Sequence, residues 1–432
     1  MPMEQCNFRV YVRVSAWVPV GLLLAFQAHA QSSPAAKLTV DQAVAEAIQN
    51  HPSLMAERAN IGIADARILT ARLRPNPAVS TEGDHLDVLG TGFNDTNAGG
   101  PTEFSLRTDW PIELGGKRER RIDVAEKSKS VVELAFLDAV RVLTLDARNA
   151  CVDALLAREN LNLARLNLES LNRIVAINAA RVKAGDIPEV DLIRSRVAAL
   201  QYANAVRRAE LAVQEAAVRL RTVLGRSVGS PPPELSGDLQ RESTTVALEE
   251  LRATALDSRP DLRALRLDQE RAAAELRLQM AQAKPDLTVG AEYRRQQVNA
   301  QSNSLGVFVS APLQIFNRNQ GEIARARQEQ RQGGLRVYAL ELVVAGEVEN
   351  AYNRFQTAQG LLQAIRGQLL EGARDVREIT DYSYQRGEAT LLQLLDAQRA
   401  YNDTMQDYNE ARAEYARSLY LLDAVSGKAV TK

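Results

Sequence analysis

The side chains that could carry out catalysis or hold a soft metal ion are few and far apart. Past the first thirty residues the chain has only two histidines, His51 and His85, and one cysteine, Cys151. Such scattered residues do not form the clustered ligand set that zinc or copper requires. Gly115-Gly-Lys117 lacks the spacing of a phosphate-binding loop, and Gly90-Thr-Gly92 lacks the third glycine of a dinucleotide-binding turn. The sequence therefore predicts no enzyme, no cofactor and no bound metal.

Composition excludes further classes of protein. The chain has 432 residues, a formal net charge of -1 and 25% charged residues, so it has no polybasic surface for nucleic acid. Aromatic residues are only 5%, while alanine, arginine, leucine and glutamate are abundant, as long helices prefer. We therefore look for extended helices rather than a compact catalytic domain.

The first thirty residues have the layout of a secretory signal peptide. Arg9 and Arg13 precede an apolar stretch from Val14 to Phe26, and Ala28-His29-Ala30 forms a small-residue cleavage site. An uncleaved anchor helix is the alternative. Beyond this segment no apolar run approaches the ~18 residues of a membrane-spanning helix. We predict an exported chain with a signal peptide at residues 1–30.

One stretch, 117–184, is a predicted rod. It contains no glycine or proline, and a helix of this length spans roughly 100 Å at about 1.5 Å per residue. Small or apolar residues recur in it in pairs every seven residues, which is typical of a coiled coil: Val140 and Leu143, Ala147 and Ala150, Ala154 and Ala157, Leu161 and Ala164, Leu168 and Leu171. A second seam of period seven predicts a long helix near the C-terminus: Leu394, Tyr401, Tyr408, Tyr415 and Leu422.

The chain consists of two copies of one plan. His51-Pro-Ser-Leu54 recurs as Arg259-Pro-Asp-Leu262, and Gly185 recurs as Gly387. We predict a first repeat at 31–230, a linker at 231–247 and a second repeat at 248–427. Each repeat should contain a helix, a β-hairpin and a long helical hairpin in that order. The predicted bounds are about 40–73, 77–113 and 117–225 in the first repeat, and about 247–283, 286–315 and 318–425 in the second.

The predicted strands alternate apolar and polar residues over about ten positions. Phe104, Leu106, Trp110 and Ile112 share one face, and the alternation from Leu305 to Leu313 is broken only by Phe308. Alternation of this length is typical of strands with one face in lipid, although an ordinary half-buried hairpin has the same pattern. A long, glycine-rich loop at 90–101 favours the membrane alternative. Four strands cannot close a barrel, so several chains must share one.

This duplicated plan resembles the outer-membrane factor family typified by TolC, over essentially all of 38–427. Arg74-Pro-Asn-Pro77, followed by Pro111-Ile-Glu-Leu-Gly-Gly-Lys-Arg118, is similar to the CzcC-like branch for cobalt, zinc and cadmium efflux. The resemblance implies a mainly helical fold with membrane β-structure: a helical tunnel in the periplasm and a transmembrane barrel in the outer membrane, with four strands from each chain.

The resemblance also implies partners. The chain should form a homotrimer and act with a periplasmic adaptor and an inner-membrane pump of the resistance-nodulation-division type. Some relatives are lipoproteins, but no cysteine follows the signal peptide here, so acylation is not expected.

Several candidate site residues are carried over from the family's tips and gate. At the helix turns, the candidates for adaptor contact are Gly185, Asp186, Ile187, Gly387, Glu388 and Ala389. Asp396 matches one acid of the family's pore entrance, whereas the second acidic position falls on Gln393. Asp191 and Tyr384 match two members of the link that keeps the pore closed, but the arginine position falls on Ala389. A solvated carboxylate on a helix surface is the alternative for Asp396.

Two other functions remain open on the sequence. The same architecture serves channels for organic drugs or for type I protein secretion. A periplasmic coiled-coil scaffold, with the alternating strands in a water-exposed β-domain, is a third possibility. Release from the membrane without detergent would distinguish that scaffold from a channel.

Overall fold

The computed structural model describes residues 37–86, 88, 90, 102–239, 247–297 and 301–428. The predicted signal peptide, most of the predicted loop at 90–101 and part of the predicted linker lie outside these residues. The helices and strands in chain order are α1 (Val40–Asn50), α2 (Pro52–Arg72), β1 (Ala78–Asp84), β2 (Thr102–Ile112), α3 (Lys117–Ala184), α4 (Glu189–Val223), α5 (Leu248–Ser258), α6 (Pro260–Gln282), β3 (Leu287–Gln297), β4 (Gln301–Ser310), α7 (Gln320–Ala364), a π-turn (Ile365–Leu369), α8 (Leu370–Arg386) and α9 (Leu391–Val425).

The opening helix of each repeat is broken in two, so the prediction of single helices at about 40–73 and 247–283 was wrong. The breaks fall at His51 and Arg259, whose backbones are extended, with ψ of 120° and 125°. Each of these residues precedes a proline, and the proline ring disfavours helical backbone at the residue before it. Proline itself fits the first turn of the new helix.

The four strands form one antiparallel sheet in the order β1-β2-β3-β4. The two hairpins meet along β2 and β3, where Ile112 lies opposite Leu287 and Thr102 opposite Gln297. The hairpin predicted at 286–315 ends earlier, because β4 stops at Ser310. Pro312 follows soon after, and a proline cannot donate a ladder hydrogen bond.

The two faces of the sheet differ sharply in polarity. Leu305, Val307 and Val309 are 78%, 83% and 68% exposed on the apolar face. On the opposite face Arg107 binds Asp109 at 3.0 Å, and Arg294 binds Glu292 at 2.9 Å. The sheet therefore presents a bare apolar surface on one side and a network of charges on the other.

Phe308, which broke the predicted alternation, fills a gap on the charged face. It lies opposite Gly290 in the strand register, and an added β-carbon at Gly290 would stand 2.0 Å from the Phe308 ring. The Arg107 guanidinium lies 3.7 Å from the centre of that ring, a cation–π contact. The ring is thus half-buried between glycine and arginine on the charged face.

The long helices match the predicted hairpins closely. α3 has the predicted limits, and α4 returns beside it. Of the seam positions, Ala147, Ala150, Leu171 and Asn178 are fully buried, whereas Leu168 is half-buried. Among the described residues, no helix combines the length and the hydrophobicity of a membrane-spanning segment.

The second repeat differs from the first at the π-turn. Inward-facing residues of α7 recur every seven positions as Val348, Phe355 and Leu362, and those of α8 recur every seven as Leu370, Arg377 and Tyr384. Leu370 follows Leu362 by eight residues, one more than the seven-residue repeat. A π-turn accommodates one extra residue in a helix, so it keeps both segments facing α9.

The motif at 111–118, one of the two that suggested the CzcC-like branch, lies where the sheet joins the helices. Arg121 binds Glu113 through two bonds of 2.6 and 3.2 Å and also donates to the Leu73 carbonyl at 3.1 Å. Lys117, which is 9% exposed, binds Asp286 at 2.8 Å. These residues hold the strands on the helical part.

A buried ion pair stands at the break between α5 and α6. Arg259 is 3% exposed and binds Asp261 at 2.5 Å and also Glu347 of α7. Burial acts to raise the pKa of Asp261, but the hydrogen bonds and charge of Arg259 outweigh it and lower that pKa. The corresponding position of the first repeat is His51, which makes no side-chain cap.

The described part of the predicted linker is packed rather than free. Leu235 and Leu239 are buried in the core beside α1 and α3, and Leu38 forms a parallel bridge with Leu235. Arg158 of α3 donates to the carbonyls of Leu235 and Gly237 at 2.9 and 3.0 Å. This segment is therefore fixed against α1 and α3.

Candidate functional site

The two helical hairpins turn at Gly185 and Gly387, and both turns have the same backbone. Their φ angles are 81° and 82°, in the left-handed region where a β-carbon is strained. The amide of each glycine and that of the next residue donate to carbonyls in the last turn of the preceding helix, at 2.9 to 3.1 Å. Each long helix thus ends in a Schellman motif.

The predicted adaptor-contact residues lie at the surface of these turns. Asp186 and Glu388 are exposed, and Ile187 and Ala389 are half-buried. Both turns therefore present one free carboxylate beside one accessible apolar side chain.

The helices that return from the turns begin differently. α9 has a capping box, in which the Gln393 side chain accepts from the Thr390 amide at 2.8 Å and the Thr390 hydroxyl accepts from the Gln393 amide at 3.3 Å. Asp191 lies in the first turn of α4, where the helix dipole favours an acid, and it pairs with Arg194 at 3.5 Å. The side chain of Gln393 is thus engaged in capping α9. That Gln393 lines a pore stays a prediction.

Tyr384 joins the two hairpins near the tips. Its side chain is 5% exposed, and its hydroxyl donates to Asn178 Oδ1 at 2.5 Å. Asn178 is fully buried, and its Nδ2 has no hydrogen-bond partner in the described part of the chain. Burial raises the pKa of the Tyr384 phenol, so the hydroxyl stays protonated and remains a donor.

Arg181 supplies a guanidinium beside Tyr384 that the sequence comparison did not reveal. It donates to the carbonyls of Tyr384 and Gln385 at 3.2 and 2.5 Å, and it lies 5.4 Å from the centre of the Tyr384 ring. A cation here complements the negative end of the α8 dipole. The family pattern pointed to position 389, whereas the charge comes from the end of α3.

A cleft of about 650 Å³ at the tips brings most of the candidate residues together. It is lined by six of them: Asp186, Ile187, Asp191, Tyr384, Gly387 and Ala389. Arg181, Arg194 and Arg386 also line it, so the cleft carries both signs of charge. Gly185, Glu388, Gln393 and Asp396 do not line it.

Asp396 lies on the opposite side of α9 from the buried seam. Its side chain is 61% exposed, and its nearest cation is Arg399, one turn further on, at 3.8 Å. The neighbouring Leu394 and Ala397 are buried against the other helices. Asp396 is therefore free to face a lumen or bulk water.

Within the described residues, no group of three or more histidine, cysteine or acidic side chains could hold a metal ion. Cys151 is buried, and burial raises the pKa of its thiol to about 12. The thiol is thus a core group in α3 rather than a ligand.

Comparison with known proteins identifies the family. Residues 43–226 and 251–428 match the family described as outer membrane efflux protein. The cobalt-zinc-cadmium resistance protein CzcC of Cupriavidus metallidurans is 26% identical over 400 residues, which cover 91% of each chain. The pyoverdine export outer membrane protein OpmQ of Pseudomonas putida is 25% identical over 425 residues, covering 90% of this chain and 86% of that protein.

A solved structure has the same fold. The CmeC outer membrane channel of Campylobacter jejuni superimposes with a TM-score of 0.75 at 15% identity, covering 90% of this chain and 86% of that one. This likeness confirms the predicted fold, which is mainly helical with a four-stranded sheet.

Proposed function

We propose, because the chain belongs to the outer membrane efflux protein family, that it is one of three subunits of a channel that releases divalent heavy-metal cations from the cell. The family consists of transport channels rather than enzymes. The chain lies in the outer membrane, with its long helices forming a tunnel in the periplasm.

The sheet supports assembly from several copies. None of the described residues covers its apolar face, which suits contact with lipid. Its outer strands, β1 and β4, each pair on one side only among the described strands. An unpaired strand edge is not tolerated in lipid, so these edges should pair with neighbouring copies to close a barrel.

The similarity to CzcC along nearly the whole of both chains carries the proposal of metal cargo. The charged face of the sheet and the exposed Asp396 would line an aqueous path for cations. No chelating cluster is required, because a passive conduit should bind its cargo weakly.

Organic cargo is the second candidate, and the similarity to a pyoverdine export protein favours it. The motif at 111–118 does not separate the two, because its contacts fix the sheet to the helices. Cargo must therefore be tested in cells.

Partners and maturation complete the proposal. We propose that a periplasmic adaptor binds the tips through Asp186, Ile187, Glu388 and Ala389, and that an inner-membrane pump of the resistance-nodulation-division type loads the channel. Residues 1–30 are removed as a signal peptide, and the mature chain consists of two repeats, 31–230 and 248–427.

Deletion of the gene in a strain without redundant channels tests the cargo. Tolerance of zinc, cobalt and cadmium should fall, with little change in tolerance of organic drugs or in siderophore release. Complementation with the wild-type gene should restore metal tolerance. Unchanged metal tolerance, with impaired siderophore release, would favour the organic alternative.

A further inference from the structure

A short segment after β4 displays three large apolar side chains to solvent. Leu313, Ile315 and Phe316 are 84%, 60% and 90% exposed, and they lie between the end of β4 and the start of α7. Phe316 is more exposed than any other large apolar side chain in the described part of the chain. Adjacent apolar side chains with this exposure mark an interaction surface. The segment 313–318 is named the apolar turn.

Hydrogen bonds hold the apolar turn in place. Arg318 Nε donates to the Gln314 carbonyl at 3.3 Å and so closes the turn on itself. Asn319 Nδ2 donates to the Gln279 carbonyl of α6 at 2.8 Å. The end of the turn is therefore tied to the helices, while its apolar side chains point away from them into solvent.

The apolar turn extends the apolar face of the sheet. Leu305, Val307 and Val309 alternate on that face, and Leu313 and Ile315 keep the same odd-numbered spacing. At about 3.4 Å per residue, Leu313 lies no more than roughly 14 Å beyond Val309. The sheet lies in the outer membrane and the long helices lie in the periplasm, so the turn stands at the periplasmic surface of that membrane.

Three cations lie at the same end of the sheet. Arg318 belongs to the apolar turn, and Arg74 and Lys284 come shortly before β1 and β3, which begin at the end where β2 and β4 finish. All three side chains are exposed, and none of the described acidic side chains forms an ion pair with them. Cations bordering an apolar surface suit the phosphates that border the acyl chains of a membrane.

The first repeat has no equivalent surface. The segment that follows β2 is Glu113-Leu-Gly-Gly-Lys117, in which Leu114 is only 37% exposed. Lys117 is 9% exposed and is neutralised by Asp286 at 2.8 Å. Exposed apolar side chains beside an unpaired cation are thus a feature of the second hairpin and not of every strand end in this sheet.

We propose that the apolar turn is a lipid anchor. Leu313 and Phe316 insert among the acyl chains of the periplasmic leaflet, and Arg318 and Lys284 bind the phosphate of an anionic phospholipid. The contact fixes the depth of the helical part below the membrane. It rests on the proposed outer-membrane channel but not on the cargo of that channel.

Fluorescence quenching by brominated lipids tests the anchor. Phe316→Trp is made in a Trp110→Phe background, and Leu313→Trp in the same background is a second reporter. The full chain is reconstituted in phosphatidylcholine vesicles that contain either brominated phosphatidylglycerol or brominated phosphatidylcholine. Both lipids should quench the introduced indole. Phosphatidylglycerol should be preferred roughly fivefold, which is the effect of one cation near an anionic surface.

Two control variants separate the contributions of apolar contact and charge. Arg318→Gln combined with Lys284→Gln should abolish the preference for phosphatidylglycerol while the quenching itself persists. Leu335→Trp lies on α7, roughly 22 Å from the start of that helix at about 1.5 Å per residue, and it should not be quenched. Equal quenching by the two lipids in the chain that retains both cations would overturn the phosphate contact.

The wild-type chain separates failure of the anchor from failure of the channel. Beyond residue 30 its only tryptophan is Trp110, which is 47% exposed on the apolar face of the sheet. Quenching of Trp110 without quenching at positions 313 and 316 would overturn the anchor and show that another surface, such as a second copy, covers the turn. Absence of quenching at all three positions would overturn the proposed membrane channel and the anchor with it.

Discussion

Replacing Tyr384 by phenylalanine removes one hydroxyl from the joint between α3 and α8. Tyr384 is 5% exposed and Asn178 is fully buried, so water cannot replace the lost 2.5 Å bond. The Asn178 amide, whose Nδ2 already lacks a partner, would lose the donor to its oxygen as well. A buried polar group left unpaired costs about 1–3 kcal/mol.

That energy should appear as a shift between closed and open tips. About 1.4 kcal/mol corresponds to a tenfold change in an equilibrium constant, so the open fraction should rise between roughly fivefold and a hundredfold. The open probability in single-channel recordings from planar bilayers measures this fraction. Urea unfolding measures the loss of stability.

Tyr382→Phe is the matched control, because Tyr382 is 55% exposed and its ring contacts the Arg386 guanidinium at the surface. If both variants open equally rarely and unfold at the same urea concentration, then the hydrogen bond from Tyr384 does not hold the tips.

Three further outcomes are expected. Leu171→Asp places a charge at a fully buried position and should abolish folded trimer, whereas Glu169→Ala, at an exposed position, should leave it unchanged; gel filtration in detergent decides. Asp396→Ala should weaken cation selectivity in bilayers with normal trimer yield, and identical selectivity would place Asp396 outside the pore. The pKa of Asp261 is lower in the folded state than in the unfolded state, so Asp261 stabilises the fold at pH values above its unfolded-state pKa. This stabilisation is lost as the pH falls through the folded-state pKa. Acid should therefore destabilise the wild type more than Asp261→Asn, measured as urea midpoints across pH 3 to 7, and parallel curves would contradict this.

The long elements could be predicted from the sequence because their signals are repeated many times. The limits of α3 follow from a stretch without glycine or proline, and the strand faces follow from alternation over about ten residues. The breaks at His51 and Arg259 depend on one proline each, and the helical periodicity continues across them. A single proline changes the backbone only at the residue before it, so the helical pattern on either side gives no sign of the break.

The joint between α3 and α8 was less predictable because it depends on contacts between distant residues. Tyr384 was found by its match to the family, but its partners Asn178 and Arg181 lie about 200 positions earlier in the chain. Asn178 lies seven residues after Leu171 and so continues the seam with a polar residue. Arg181 gave no signal at all, because an arginine in the last turn of a helix is ordinary.

We expect the π-turn to give the two helical hairpins different torsional stiffness. A helix that keeps a strict seven-residue repeat coils around its partner. α3 continues without interruption down to its turn. The second arm restarts its repeat at Ile365–Leu369, so winding stored in α7 is not passed on to α8. Any twist applied near the tips should therefore be absorbed at the π-turn in the second helical hairpin. The unbroken α3 should transmit the same twist along its whole length.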